Sequence, residues 1–130
     1  KIRPNENACA ARKKNNAKLI LFPESSLTGY THGKQNISAT AQSIPGPGSE
    51  AVLNLAREFS IVISAGISEK AGRQYLITQI TALPDGTLHV YRKRFGSEPG
   101  YSKGRHVLPF TYEGYRFGVA ICMDARIYEL

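Results

Sequence analysis

Lys18-Leu19-Ile20-Leu21-Phe22-Pro23-Glu24 is the stretch that decides the fold. Leu19 to Phe22 is an unbroken apolar run with no polar alternation, the pattern of a strand covered on both faces in an α/β sheet. Pro23 has no N–H for a ladder bond, so the strand stops there and Glu24 stands at its carboxyl end. Upstream, Asn5 to Asn16 reads as a helix, with Asn5 as N-cap, Glu6 in the first turn and basic residues nearer its end. Downstream, residues 25–48 look irregular, with Gly29, Gly33 and the turn-forming Pro45-Gly46-Pro47-Gly48. A helix is expected from Glu50 to Phe59, capped by Ser49, because Val52, Leu53, Leu55, Ala56 and Phe59 approximate helical spacing. Ile61 to Ile67 is a second buried strand. Turns at Ala71-Gly72 and Pro84-Asp85-Gly86 then lead into strands Tyr75 to Leu83 and Thr87 to Arg92. This meander delivers Lys93 to a strand end. After a loop over 96–104 come a short strand near Val107 to Tyr112, a turn at Glu113-Gly114, and an apolar strand from Tyr115 to Cys122. Helix–strand alternation followed by hairpins predicts a layered α/β fold with a mixed sheet.

The 130 residues fit one domain. A net charge of +7 invites a nucleic-acid reading, but the basic residues are scattered. Arg12, Lys13, Lys14 and Lys18 follow one expected helix and Arg92-Lys93-Arg94 forms a second cluster, with no zinc finger, helix-turn-helix or Gly-rich aromatic motif beside them. A solvated basic surface is the expectation, with no nucleic acid as partner. No apolar run reaches membrane-helix length, so no membrane partner is expected. Cys9 and Cys122 form no CxxC pair and read as free thiols of a reducing compartment. His32, His89 and His106 have no metal-ligand spacing, so no metal is expected. The absence of an export signal and the free thiols together predict a cytoplasmic location. The chain opens on Lys1 rather than Met, which is expected of a segment whose natural start lies upstream.

Three expected strands thus end in a carboxylate, an ammonium and a thiol: Glu24, Lys93 and Cys122. Binding sites in open α/β sheets gather beyond the carboxyl ends of strands. A thiol nucleophile needs a base, and a carboxylate serves when burial raises its proton affinity. A cation such as Lys93 favours a thiolate and holds the oxyanion of a tetrahedral intermediate, with the backbone N–H of Met123 as a second donor. Together they suit attack on an electrophilic carbon bonded to nitrogen. Plainer readings stand beside this one: a solvated strand-end carboxylate, a surface basic run and a small buried cysteine.

The segment Leu19-Ile20-Leu21-Phe22-Pro23-Glu24, continuing to Leu27-Thr28-Gly29-Tyr30, resembles the nitrilase-superfamily segment that bears the glutamate base. Tyr91-Arg92-Lys93 is similar to the lysine segment, and Gly118-Val119-Ala120-Ile121-Cys122-Met123-Asp124, followed by Glu129, to the nucleophile segment. The three occur in the family's order. The resemblance implies a carbon–nitrogen hydrolase acting on non-peptide amides, N-carbamoyl compounds or nitriles through a cysteine thioester, without metal or organic cofactor. In it Glu24 is the base, Cys122 the nucleophile and Lys93 the oxyanion stabiliser. Glu98 matches a second glutamate that some members carry in the loop after the lysine. Tyr128 stands where the family usually has Pro, and the loop after Lys93 is slightly short. The implied fold is part of a four-layer α-β-β-α sandwich, lacking the first strand and the C-terminal half, in a single incomplete domain over 1–130 whose parent is a homo-oligomer. The alternative is a truncated, catalytically inactive binding or scaffolding module.

Overall fold

The computed structural model describes residues 16–96 and 98–127. The helix expected over Asn5 to Asn16, the second thiol Cys9, and the departure at Tyr128 with Glu129 lie outside the described residues, apart from Asn16 itself, a turn residue with φ 50°. The described elements run β1 (Leu19–Leu21), α1 (Lys34–Thr40), α2 (Pro47–Phe59), β2 (Val62–Ala71), β3 (Gln74–Ala82), β4 (Leu88–Arg92), β5 (Phe110–Tyr112), β6 (Tyr115–Phe117) and a 3₁₀ turn (Cys122–Arg126). Strands β1 to β4 form one four-stranded sheet in that order. β1 pairs with β2 in parallel, and β2, β3 and β4 pair antiparallel, so the sheet is mixed as expected. β5 and β6 form a separate two-stranded hairpin.

Strand alternation assigns the two faces of the sheet. Ile63, Ala65 and Ile67 of β2 and Ile80 and Ala82 of β3 form a buried cluster with Val52 and Ala56 of α2. The opposite face carries Val62, Ile77, Leu83 and Tyr91, which pack against Phe110 and Ile121. The result is helices on one side, the sheet in the middle, and the β5–β6 hairpin with the Cys122 turn on the other side.

Several local expectations need correction. β1 is not covered on both faces: Leu19 is 43% and Leu21 70% exposed, and only Ile20 and Phe22 join the helix-side cluster. Leu19 and Leu21 instead border an apolar cleft of about 280 Å³ with Val62, Phe110 and Phe117. The segment 25–48 is not wholly irregular, since α1 occupies part of it. Its one fully buried apolar side chain is Ile37, so there was no periodicity to read. α2 begins three residues before Glu50, with Gly46 as N-cap and Pro47 in the first turn, where a missing N–H costs nothing. Ser49 lies inside the helix, where its Oγ accepts from Gly46 N (2.9 Å) and donates to Gly46 O (3.0 Å).

β2 runs past Ile67 because the buried Glu69 is satisfied: Thr78 Oγ1 donates to it at 2.7 Å and Arg92 at 2.8 and 2.6 Å. The ladder stops after Phe117, so the strand expected through Cys122 is only β6, and residues 118–121 form no ladder among the described residues. The strand near Val107 likewise shortens to Phe110–Tyr112.

Candidate active site

Glu24 is held by the way residues 22–28 strap along β2. Phe22 N donates to Ser64 O (2.8 Å) and Leu27 N to Gly66 O (2.9 Å). The side chains of Ser26 and Thr28 accept from Gly66 N (3.1 Å) and Ser68 N (2.9 Å). This strap needs glycine at 66, because a Cβ there would meet the backbone of Pro23, Glu24 and Ser25. Ser25 itself has φ 56°, the left-handed turn that reverses the chain just after Glu24.

Lys93 follows β4 directly, and Lys93 N extends that ladder with a bond to Ile77 O (2.9 Å). Arg92, Lys93 and Arg94 are not one basic patch. Arg92 points to the helix side and Glu69, while Lys93 points to the other side and is 5% exposed. The Lys93 ammonium donates to Glu24 Oε1 at 2.8 Å and to Glu98 Oε1 at 2.7 Å. Burial works against that charge, but the two carboxylates outweigh it and hold the Lys93 pKa above the ordinary lysine range. The Lys93 hydrogen bond is the main cause holding Glu98 below the usual carboxylate value, against a smaller opposing effect of burial. Burial first, then the nearby Glu98 charge, raise the Tyr30 phenol above its ordinary pKa.

Cys122 opens the 3₁₀ turn with φ 50°, a strained left-handed residue, and its thiol is free and exposed. It borders a cleft of about 360 Å³ together with Glu24, Phe22, Pro23, Gln79 and Ile121. The structure therefore brings Lys93 into direct contact with both Glu24 and Glu98, and Cys122 lines the same cleft as Glu24. The thiol has no hydrogen-bond partner among the described residues. Met123 is the second residue of the turn, a position whose N–H has no acceptor within the helix. Its Cβ and the Lys93 ammonium both lie close to Gly96: a Cβ there would be 3.6 Å from each.

Sequence reasoning missed the supports of this arrangement. Gln79 Nε2 donates to Phe22 O and to Ser64 Oγ (3.1 Å each), beneath the cleft. Asp124, fully buried, accepts from Tyr91 OH, Ile121 N, Arg94 N and Phe95 N. An Asp inside an otherwise apolar nucleophile segment was the available signal, since a buried acid needs a dedicated set of donors. Among the described residues no group of three or more His, Cys, Asp or Glu is gathered that could hold a metal ion.

The carbon–nitrogen hydrolase family model matches residues 5–130. An (R)-stereoselective amidase of a Pseudomonas species is 25% identical, over 85% of this chain and 41% of that protein. A nitrilase of Pyrococcus abyssi is 30% identical, over 95% of this chain and 52% of its own length. Among solved structures, a CN-hydrolase superfamily protein from Xanthomonas campestris superposes with a TM-score of 0.79 at 23% identity, covering 93% of this chain and 47% of that one. The chain thus spans about half the length of these relatives.

Proposed function

This chain belongs to the carbon–nitrogen hydrolase family, and we propose that it carries that family's chemistry on Cys122, Glu24 and Lys93, with Glu98 in support, cleaving an amide, N-carbamoyl or nitrile bond. The observation that carries this reading is the Lys93 ammonium clasped between Glu24 and Glu98 at the edge of the cleft that Glu24 shares with Cys122. A buried cation shared by two carboxylates beside an exposed thiol is an arrangement suited to proton transfer and oxyanion binding.

For an amide the sequence is as follows. Cys122 Sγ attacks the carbonyl carbon while its proton passes to Glu24, directly after rotation of the thiol or through one water. The cluster of Glu24, Lys93 and Glu98 thereby loses its negative charge, which reappears on the substrate oxygen, so the total charge of site and substrate is unchanged. The oxyanion is met by the Lys93 ammonium and the Met123 N–H. The carbon–nitrogen bond breaks as Glu24 returns the proton to the leaving nitrogen, leaving a thioester on Cys122. Water then attacks the thioester, Glu24 takes its proton, and collapse of the second tetrahedral intermediate expels the thiolate, which recovers the proton as the acid departs. Glu98 holds Lys93 in place and keeps its charge. The required free thiol suits a reducing, cytoplasmic compartment. Among the described residues no helix is long and apolar enough to cross a membrane.

A second reading is an inactive nitrilase-like binding or scaffolding module. It is favoured by the apolar surface left open on β1 and around the hairpin, including Leu21 at 70%, Leu108 at 71% and Tyr115 at 71% exposure. The same surface fits a whole protein that assembles as a homo-oligomer. Incubation with amides, N-carbamoyl compounds and nitriles, followed by intact-mass and peptide mapping, separates the two. The hydrolase reading requires an acyl adduct on Cys122 that is lost in Cys122→Ala. No adduct from any of these classes would leave the binding module.

A further inference from the structure

We infer that Asp124 is a positioning residue that locks the Cys122 turn to the Lys93 loop, so that nucleophile and cation are set by one buried carboxylate. This inference rests on the reading of Cys122, Glu24 and Lys93 given above. Asp124 is 0% exposed and accepts hydrogen bonds at both oxygens. Oδ2 takes Tyr91 OH at 2.8 Å and Ile121 N at 3.1 Å, tying strand β4 to the residue just before Cys122. Oδ1 takes Phe95 N at 2.7 Å and Arg94 N at 3.2 Å, the two residues just after Lys93. Its own N–H donates to Ile121 O at 3.0 Å and closes the 3₁₀ turn that begins at Cys122.

The geometry divides the carboxylate's work between its oxygens. One oxygen faces the nucleophile turn and strand β4. The other faces the loop that folds back through Gly96, at φ +95°, and brings Glu98 against Lys93. An ordinary helix cap would serve only its own turn. Here half of the accepted bonds come from the lysine loop. Tyr91 suits a permanent donor, because burial and then its bond to Asp124 raise the phenol's pKa, so it keeps its proton. Tyr91 and Lys93 lie on the same face of the sheet, two residues apart, so the phenol registers the turn against the strand that delivers the lysine.

Asparagine keeps the shape but has one acceptor oxygen in place of two. Asp124→Asn must therefore turn an NH₂ toward one set of donors and release either the turn or the loop. The test is a coupling measurement on the chain: the rate of Cys122 alkylation by iodoacetamide, read by peptide mapping, with Lys93→Met made in wild-type and in Asp124→Asn backgrounds. We expect Lys93→Met to slow alkylation about tenfold in the wild-type background and less than about twofold in Asp124→Asn. Tyr91→Phe, which keeps the carboxylate and the loop bonds, should reduce the coupling partway, and it decides the matter should Asp124→Asn fail to fold. A role confined to stability would lower the melting temperature and leave the Lys93 effect the same in all backgrounds, which overturns the inference. If Lys93→Met has no effect in the wild-type background, the catalytic reading itself fails and takes this inference with it.

Discussion

Gly66→Ala tests whether the strap over β2 sets Glu24. A Cβ at residue 66 would stand 2.7 Å from Pro23 O and 2.8 Å from the Glu24 carbonyl carbon, where ordinary contact begins at 3.4 Å. Ser25 N would be closer still, so the backbone around Glu24 must retreat by about 1 Å, and none of the atoms met is the far end of a flexible side chain. Overpacking of this kind costs about 1–3 kcal/mol, and weakening the Leu27 N to Gly66 O bond adds about 1 kcal/mol. At about 3–5 °C per kcal/mol for a chain of this size, that is a fall in melting temperature on the order of 6–20 °C by circular dichroism. The chemical effect should exceed the thermal one, because a displacement approaching 1 Å at a base costs on the order of 10–100-fold in rate. The assay is the rate of acyl-adduct formation on Cys122, measured by mass spectrometry well below the melting temperature. Gly72→Ala is the control: residue 72 has φ +61° and open space around it, so it loses stability by backbone strain while leaving Glu24 alone. Equal acylation rates in Gly66→Ala and wild type would refute the argument that the strap positions the base.

Lys93→Met leaves Glu24 and Glu98 facing each other without their shared cation; it should cost about 2–4 kcal/mol in urea unfolding, at the low end because both carboxylates are partly exposed. The lowered Glu98 pKa adds stability above the ordinary carboxylate range, lost as pH falls through the lowered folded value, and the raised Lys93 pKa adds stability below the ordinary lysine range, lost as pH rises through the raised folded value. A series of melts should therefore be flat between about pH 5 and 10 as far as this pair is concerned, and Glu98→Gln should flatten the acid limb. Arg92→Ala leaves the buried Glu69 with no cation and only the Thr78 hydroxyl as donor and should cost about 2–4 kcal/mol without changing Cys122 alkylation, since that pair lies on the helix side of the sheet; altered thiol reactivity would contradict the two-sided arrangement.

The hydropathy runs at Leu19, Ile61, Tyr75 and Thr87, with Pro23 and the glycine turns, carried the mixed sheet and the strand-end positions of Glu24 and Lys93, because strand length and chain reversal are local properties. The order of three short segments carried the family. Other features depended on partners distant in the chain. Leu21 reads as core by composition and is open because its face has no cover among the described residues. The segment 118–121 reads as strand and forms no ladder, since a ladder needs a neighbour as well as propensity.

What the sequence by itself determined was which reactive groups exist and that Glu24 and Lys93 follow strand ends, whereas Cys122 opens a 3₁₀ turn. Only the tertiary structure decided that Lys93 sits between two carboxylates, that Gly66 makes room for the base, and that Asp124 ties the thiol's turn to the lysine's loop. The physical reason is that hydropathy and turn signals report a residue's neighbours along the chain, whereas hydrogen bonds and steric clearance across some 30 to 70 positions exist only once the sheet has been assembled.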